Sequence, residues 1–310
     1  MEKKQPLLEV RDLSVSFSMY DSKWKKQEMK AIANLCLEVY PGEIVAVAGS
    51  SGSGKSLLAS AVMGLLPDNA LWQGTIRLEG ETLDAKRIAQ LRGRKMALVP
   101  QSVSYLDPLM KMGRQVRGRN KDPEIHRRQR EVFARYGLTP EDEKLYPRQF
   151  SGGMARRALV ATAALSQASL IIADEPTPGM DLESAVKALS DFREMADQGK
   201  GVLLITHDID LAVRVADRIA VFYAGTTVEI AAAEDFTRPD RLRHPYSQAL
   251  YWAMPQNGFH PTAGFQPCMR ELPPGCLYAP RCDRCTPECC TAIPPMRSVR
   301  EGRVRCIHAT

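Results

Sequence analysis

The chain holds 310 residues, 44% hydrophobic and 25% charged, enough for a sizeable core in one or two domains. Its 42 basic and 36 acidic side chains leave a formal charge of +6, too mild to mark a polyanion binder, and 6% aromatics without basic–aromatic interleaving argue against a single-strand nucleic-acid platform. No apolar run approaches the ~18 residues of a membrane helix, and Met1 to Pro6 carries no signal-peptide core, so the expected location is cytoplasmic.

In chain order, Leu7 to Phe17 alternates apolar and polar residues and predicts a strand. A basic stretch, Lys23 to Lys30, reads as a solvated face. Ala31 to Val39 predicts a second strand, closed by the turn Tyr40-Pro41-Gly42-Glu43. Ile44 to Ala48 is short and apolar, as a buried parallel strand is, and Leu57 to Leu66 predicts a helix. Between them stands Gly49-Ser50-Ser51-Gly52-Ser53-Gly54-Lys55-Ser56. A loop of the form G-x-x-x-x-G-K-[ST] between strand and helix binds phosphate. Gly52 and Gly54 permit backbone conformations closed to other residues, so successive N–H groups point inward at phosphate oxygens. The helix N-terminus adds partial positive charge. Lys55 supplies a full charge to the β- and γ-phosphates, and the Ser56 hydroxyl is a Mg²⁺ ligand. An incidental Gly/Ser turn would need neither the strand before nor the helix after.

Gly74 to Leu78 predicts a strand of an antiparallel subdomain, and Lys95 to Val99 another strand, ending at Pro100-Gln101. From about 102 to 164 the chain is polar, basic and helix-like, an inserted helical subdomain; its basic run from Arg117 to Arg130 again reads as a solvated face. Leu170 to Ala173, Val202 to Ile205, Ile219 to Tyr223 and Thr227 to Ile230 then predict strands, with helices at Leu182 to Met195 and Leu211 to Ala216. That alternation implies a parallel sheet with its ligand at the carboxyl ends of the strands. Gly49, Gln101, Asp174 and His207 each sit just past such an end.

At that edge Asp174 is placed to hold the shell of a nucleotide-bound Mg²⁺ together with Ser56. Glu175 projects in another direction and is placed to polarise an attacking water. His207 is read as a γ-phosphate contact, although a lone histidine is more often structural. Gln101 is a candidate for the metal shell or the water. Ser151-Gly152-Gly153 opens a helix running to Leu165, with Ser151 at the N-cap and bare amides behind it, a second anion-binding helix start. One nucleotide does not need two such starts on one subunit, which points to a composite site between two subunits. Cysteine usage is lopsided: Cys36 stands alone, and the other seven, at 268, 276, 282, 285, 289, 290 and 306, crowd the Pro-rich tail. Without an oxidising compartment that pattern suggests a metal site rather than disulfides.

With those residues in hand the chain resembles an ATP-binding-cassette (ABC) ATPase over about residues 7 to 235. Gly49 to Ser56 is similar to the Walker A loop, Leu170 to Glu175 to the Walker B strand, Gln101 to the Q-loop, and Ser151-Gly152-Gly153 to the signature. Pro178-Gly179-Met180-Asp181 falls where the D-loop lies, and His207 where the switch histidine does. The resemblance implies a P-loop NTPase of class α/β: a parallel-sheet core, an antiparallel β subdomain and a helical insertion, within residues 1–236. It also implies that two cassettes sandwich ATP head to tail, with Asp181 and the signature facing a partner's nucleotide. His244-Pro245-Tyr246-Ser247-Gln248-Ala249-Leu250 and Gly275-Cys276-Leu277-Tyr278-Ala279-Pro280-Arg281-Cys282 resemble the C-terminal extension of oligopeptide and nickel importer ATPases, here residues 237–310. In that family four tail cysteines hold a [4Fe–4S] cluster, which implies Cys276, Cys282, Cys289 and Cys306 as its ligands. Cys285 and Cys290 are rivals for the third place, and thiolates alone suit Zn²⁺ equally.

The resemblance further implies an ATPase subunit powering import of oligopeptides, nickel or a nickel–chelator complex from the cytoplasmic face of the membrane. Its implied partners are a paralogous ATPase or a second copy, two transmembrane permease subunits and an extracellular or periplasmic substrate-binding protein, with no nucleic acid. The alternative is a non-transport cassette acting on nucleic acid or the ribosome. Departures from the family pattern are Met29 where an adenine-stacking aromatic is expected, with Tyr20 or Trp24 as substitutes, Phe150 for leucine before the signature, and the Pro-Gly-Met-Asp D-loop.

Overall fold

The computed structural model describes residues 5–20, 24–118, 122–268 and 271–310. Lys23, the start of the first basic stretch, lies outside them, as does the side chain of Tyr20. Strands β1 (Leu8–Tyr20), β2 (Lys26–Val39) and β3 (Ile44–Gly49) open the chain. Helix α1 (Lys55–Val62), β4 (Ala70–Leu78), β5 (Glu81–Thr82), α2 (Ala85–Leu91) and β6 (Met96–Val99) follow. The insertion carries α3 (Met112–Arg117), α4 (Pro123–Arg135) and α5 (Gly152–Leu165). Strand and helix then alternate through β7 (Leu170–Asp174), α6 (Leu182–Asp197), β8 (Gly201–Ile205), α7 (Ile209–Val215), β9 (Arg218–Tyr223) and β10 (Thr226–Ala232). The tail adds α8 (Pro245–Trp252), β11 (Arg297–Val299) and β12 (Gly302–Val304).

Two sheets form. One is antiparallel, in the order β2-β1-β4-β5; the other runs β11-β12-β10-β9-β3-β8-β7-β6. The five strands from β9 to β6 are parallel. Every residue of β3, β7 and β8 is buried, as parallel strands covered on both faces must be. On one face α1 is sandwiched against the antiparallel sheet, with Leu58 and Val62 packed among Leu13, Leu37 and Ile76. On the other, α5 and α6 lay Ala158, Leu159, Leu189 and Phe192 against Ile171, Val202 and Leu204.

The first two strands are longer than the sequence predicts. Lys26, Gln27, Glu28 and Lys30 pair with Tyr20 back to Ser16, so the basic stretch from Lys26 is antiparallel strand as well as solvated face. Alternation does not register there because every described residue from Trp24 to Lys30 except Met29 is exposed. The tail is not a detached appendage: Glu229 and Ile230 of β10 pair with Val304 and Arg303 of β12, so the C-terminal hairpin extends the main sheet. Neither β11, β12 nor α8 is legible from periodicity, since none exceeds eight residues.

A buried charge cluster locks that junction. Arg243 reaches Asp235 at 2.9 Å and Glu229 at 3.3 Å, and Glu229 accepts from the amides of Arg243 at 2.8 Å and His244 at 2.9 Å. Removing one partner strands the others in a low dielectric. Arg243→Leu is therefore expected to cost about 3–5 kcal/mol in urea unfolding; a loss under about 1 kcal/mol, the range of exposed pairs, would contradict the arrangement.

Candidate nucleotide site and cysteine pocket

The site is assembled by strand register. In the sheet, Val47 stands beside Ile205, Ile205 beside Asp174, and Ala173 beside Val99. The chain leaving β3, β6, β7 and β8 therefore emerges along one edge, and this brings together the loop 49–56, Gln101, Asp174-Glu175 and His207. Gly52 and Gly54 have φ of 75° and 96°, as the predicted amide cradle requires. The loop side chains from Ser50 to Ser53 play different parts: Ser51 is exposed, while the Ser53 hydroxyl is buried without a hydrogen-bond partner among the described residues.

Lys55 is folded onto its own loop. Its Nζ donates to the carbonyls of Gly49 at 2.8 Å and Ser50 at 2.9 Å. Burial pushes its pKa down, partly offset by the Glu175 and Asp174 carboxylates. The Ser56 hydroxyl donates to Asp174 Oδ1 at 3.0 Å. Burial pushes the Asp174 carboxyl up, against the Ser56 hydrogen bond. A desolvated carboxylate with a hydroxyl beside it fits a hard divalent cation.

Glu175 has φ of 44°, a left-handed conformation uncommon for a residue with a Cβ. Its amide is held by the Ile205 carbonyl at 2.9 Å. The turn aims its carboxylate away from Asp174 and between two neighbours: Gln101 Nε2 donates to Oε2 at 2.9 Å, and His207 Nδ1 lies 3.3 Å from Oε1. Gln101 and His207 thus both meet Glu175. Arg156 goes unremarked in the sequence; it is buried, donates to the Pro100 carbonyl at 2.9 Å and lies in the field of Glu175 and Asp174. Its position on α5 behind the Q-loop carries no sequence signal.

Ser151 caps α5 by accepting from the Met154 amide at 3.2 Å. Open space lies around Gly152, and only the Gly179 carbonyl stands near Gly153. Asp181 is exposed and caps α6, accepting from the Ser184 amide and hydroxyl, each at 2.8 Å. Near the arm, Met29 is half-buried opposite Phe17 and Trp24 is 85% exposed.

Cys276, Cys282, Cys289 and Cys306 line one small apolar pocket with His244, Tyr278 and His308. Gly275 lets the chain close it, since a Cβ there would collide with the Cys289 carbonyl. Burial pushes the Cys276 and Cys282 thiols up. His308 Nε2 lies 3.4 Å from Cys289 Sγ and 3.1 Å from the Thr286 hydroxyl. Cys285 and Cys290 are exposed, 3.9 Å from each other, and do not line the pocket; Cys36 and Cys268 lie elsewhere. Four soft donors facing one apolar pocket suit a thiolate-bound centre in donor chemistry. Even so, among the described residues no group of three or more His, Cys, Asp or Glu side chains is set as a metal site.

Fold and site together define a nucleotide-binding cassette. A model described as ABC transporter matches residues 32–178, and one described as the C-terminal region of oligopeptide/dipeptide transporters matches 228–289. The oligopeptide transport ATP-binding protein AppD of Bacillus subtilis is 31% identical, covering 97% of this chain and 96% of its own length. OppD of Salmonella typhimurium is 32% identical over 96% of this chain and 92% of its own. OppD of Mycobacterium tuberculosis is 34% identical over 97% of this chain, which spans only 52% of that relative. Among solved structures, the dimeric structure of a bacterial ABC transporter cassette is 25% identical with a TM-score of 0.64, covering 73% of this chain and 98% of that one. An ATP-binding subunit of an ABC transporter is 27% identical at 0.63, covering 75% and 92%. The chain belongs to the ABC transporter ATP-binding family, in the branch with the oligopeptide/dipeptide C-terminal region.

Because the folded Asp174 carboxyl binds its proton more tightly than the unfolded one, its contribution to stability is present at low pH and is lost as pH rises through the folded pKa. Asp174→Asn is therefore expected to melt higher than wild type at neutral pH without nucleotide, the gap narrowing on acidification. The same variant should lose Mg²⁺-dependent nucleotide binding. Calorimetry with and without MgATP checks both; a lower melting temperature at neutral pH would count against a desolvated carboxylate.

Proposed function

We propose that the chain is the ATP-hydrolysing subunit of an importer for oligopeptides. The observation that carries this is the union, in one folded unit, of a full set of phosphate, metal and water-facing groups with the oligopeptide/dipeptide C-terminal region. The relatives are named for oligopeptide or peptide transport, so peptide leads over nickel as cargo.

On nucleotide binding Lys55 exchanges the Gly49 and Ser50 carbonyls for the β- and γ-phosphate oxygens, at a helix start with a favourable dipole. Ser56 and Asp174 would hold a Mg²⁺ brought with ATP, which would supply charge neutralisation on the phosphates. Glu175 takes the proton of the attacking water as general base. Gln101 fixes the carboxylate's orientation, and His207 turns a ring N–H toward the γ-phosphate. The helix start at Ser151-Gly152-Gly153, exposed at Ser151 and Gly152, and the exposed Asp181 complete the site of a second cassette, a paralogue or another copy, arranged head to tail.

No helix among the described residues is long and apolar enough to cross a membrane. The oligopeptide/dipeptide C-terminal region and the peptide-transport relatives support transmembrane permease subunits and an external substrate-binding protein as the rest of the proposed importer, with this chain at the cytoplasmic face. A groove of about 530 Å³ in the helical insertion, lined by Leu109, Arg114, Arg117 and Arg130, supports docking there, beside the 62% exposed Tyr105 and 87% exposed Leu109. The test is uptake of labelled oligopeptide and labelled Ni²⁺ in cells lacking this subunit, complemented with wild type or Glu175→Gln. Peptide should enter only with wild type, and Glu175→Gln should keep ATP binding while hydrolysis falls about 10²–10⁴-fold. Equal peptide entry in all strains overturns the importer reading.

Within this reading, Cys276, Cys282, Cys289 and Cys306 would hold a [4Fe–4S] cluster, with Zn²⁺ as the alternative occupant of the same thiols. Such a centre supplies cross-linking to a tail too small to build its own core. Protein purified without oxygen should contain iron and acid-labile sulfide, lost together in Cys282→Ser but kept in Cys285→Ser. Zinc without sulfide would select the alternative, and neither metal would remove both.

A further inference from the structure

Two side chains of the C-terminal extension reach the phosphate loop, and neither belongs to the nucleotide motifs. The Tyr246 hydroxyl accepts from the Ser50 amide at 3.3 Å, across 196 residues of sequence. The Gln266 carboxamide oxygen accepts from the Ser50 hydroxyl at 2.5 Å, across 216. Ser50 is the second residue of the loop. Its carbonyl, like that of Gly49, receives Lys55. The entry of the loop is therefore held from within by Lys55 and from outside by the extension.

The outer hold is itself built rigidly. Tyr246 is 6% exposed, and its ring centroid lies 4.5 Å from that of Tyr223 and 5.4 Å from that of Tyr278. His244 Nδ1 accepts from the Tyr246 amide at 3.0 Å and fixes the first turn of α8, where Pro245 presets the backbone. Arg281 lies over the Tyr278 ring and donates to the carbonyls of Ala263 at 3.0 Å and Thr262 at 3.1 Å. It thereby anchors the segment that carries Gln266 to the same aromatic pillar. Burial pushes the Tyr246 phenol up, so the hydroxyl stays protonated at neutral pH.

We propose that Tyr246 and Gln266 are positioning residues of the nucleotide site, holding Ser50 so that the phosphate loop is formed before nucleotide arrives. A loop that must order itself on binding loses affinity to the entropy of ordering, and an external clamp removes that loss. Lys55 must leave the Ser50 carbonyl to meet phosphate, so the outer contacts are the ones that persist through that exchange. The inference rests on the chain binding nucleotide, which the wild-type protein tests separately.

The experiment is calorimetric titration of MgADP into the full chain, comparing wild type, Tyr246→Phe, Gln266→Leu and the double variant. Tyr251→Phe, whose ring packs on Trp252, is the control. Tyr246→Phe keeps the ring in its pillar and removes only the hydroxyl. Each single variant is expected to raise Kd about three- to tenfold, the scale of one net hydrogen bond, and the double variant to raise it further. KM for ATP should rise with kcat held within about twofold, because these contacts serve bound and reacting nucleotide alike. A wild-type Kd in both single variants overturns the proposal, as does a fall in kcat at unchanged KM. If Tyr246→Phe fails to fold, Gln266→Leu decides by the same two criteria, since Gln266 is only half-buried. A wild-type protein that binds no MgADP overturns both this inference and the ATPase reading.

Discussion

The parallel register of β3, β8, β7 and β6 is the constraint on which the site depends. The side chains that meet at this edge come from distant parts of the chain: Ser56 and Asp174 are separated by 118 residues, Gln101 and Glu175 by 74. Hydrogen-bonded pairing of the fully buried β3, β8 and β7, with the half-buried β6 at the edge, is what brings their carboxyl ends level. Burial on both faces makes a register slip costly, because it would drive polar neighbours into two apolar layers. The local departure from regular geometry falls where the sheet ends. Glu175 takes a left-handed conformation held by the Ile205 carbonyl, and strain of this kind persists only where the surroundings over-determine it. Its effect is to send two consecutive carboxylates to different tasks, Asp174 toward Ser56 and Glu175 toward Gln101 and His207.

The same edge sets opposing electrostatic demands. Asp174 and Lys55 are both desolvated, and burial moves each toward its neutral form while the other opposes the shift. Lys55 rests on backbone carbonyls and Asp174 on a hydroxyl, so each desolvated charge is met by dipoles. Desolvation of titratable groups at a sheet edge is the pattern that marks a functional site.

The extension joins this core by three different physical means. β12 continues the main sheet beside β10, Arg243 is buried with Glu229 and Asp235, and an aromatic pillar of Tyr223, Tyr246 and Tyr278 runs between the cysteine pocket and the phosphate loop. Tyr278 lines that pocket, and Tyr246 touches Ser50. A segment too short for its own core is thus stabilised by borrowing one, and in doing so its side chains come within hydrogen-bonding distance of the nucleotide site.

By itself the sequence determined the α/β class, the phosphate loop, the Asp174-Glu175 strand end and the helical insertion. Each is written in local patterns: an apolar run, glycines at fixed offsets, a polar residue directly after a buried strand. The tail cysteines were legible as a set by composition, and the family resemblance already favoured Cys289 over Cys285 and Cys290; the folded tail buries Cys289 and leaves the other two exposed. Other features have no local pattern to read. The polar arm of β1 and β2 lacks alternation because its β2 half is exposed at every residue but Met29, and β11 and β12 are too short for any period. Arg156 beneath Pro100, and Tyr246 and Gln266 against Ser50, are contacts between distant segments of unremarkable composition. Only the tertiary structure decided them, because they exist only once the sheet, the insertion and the tail have closed around one edge.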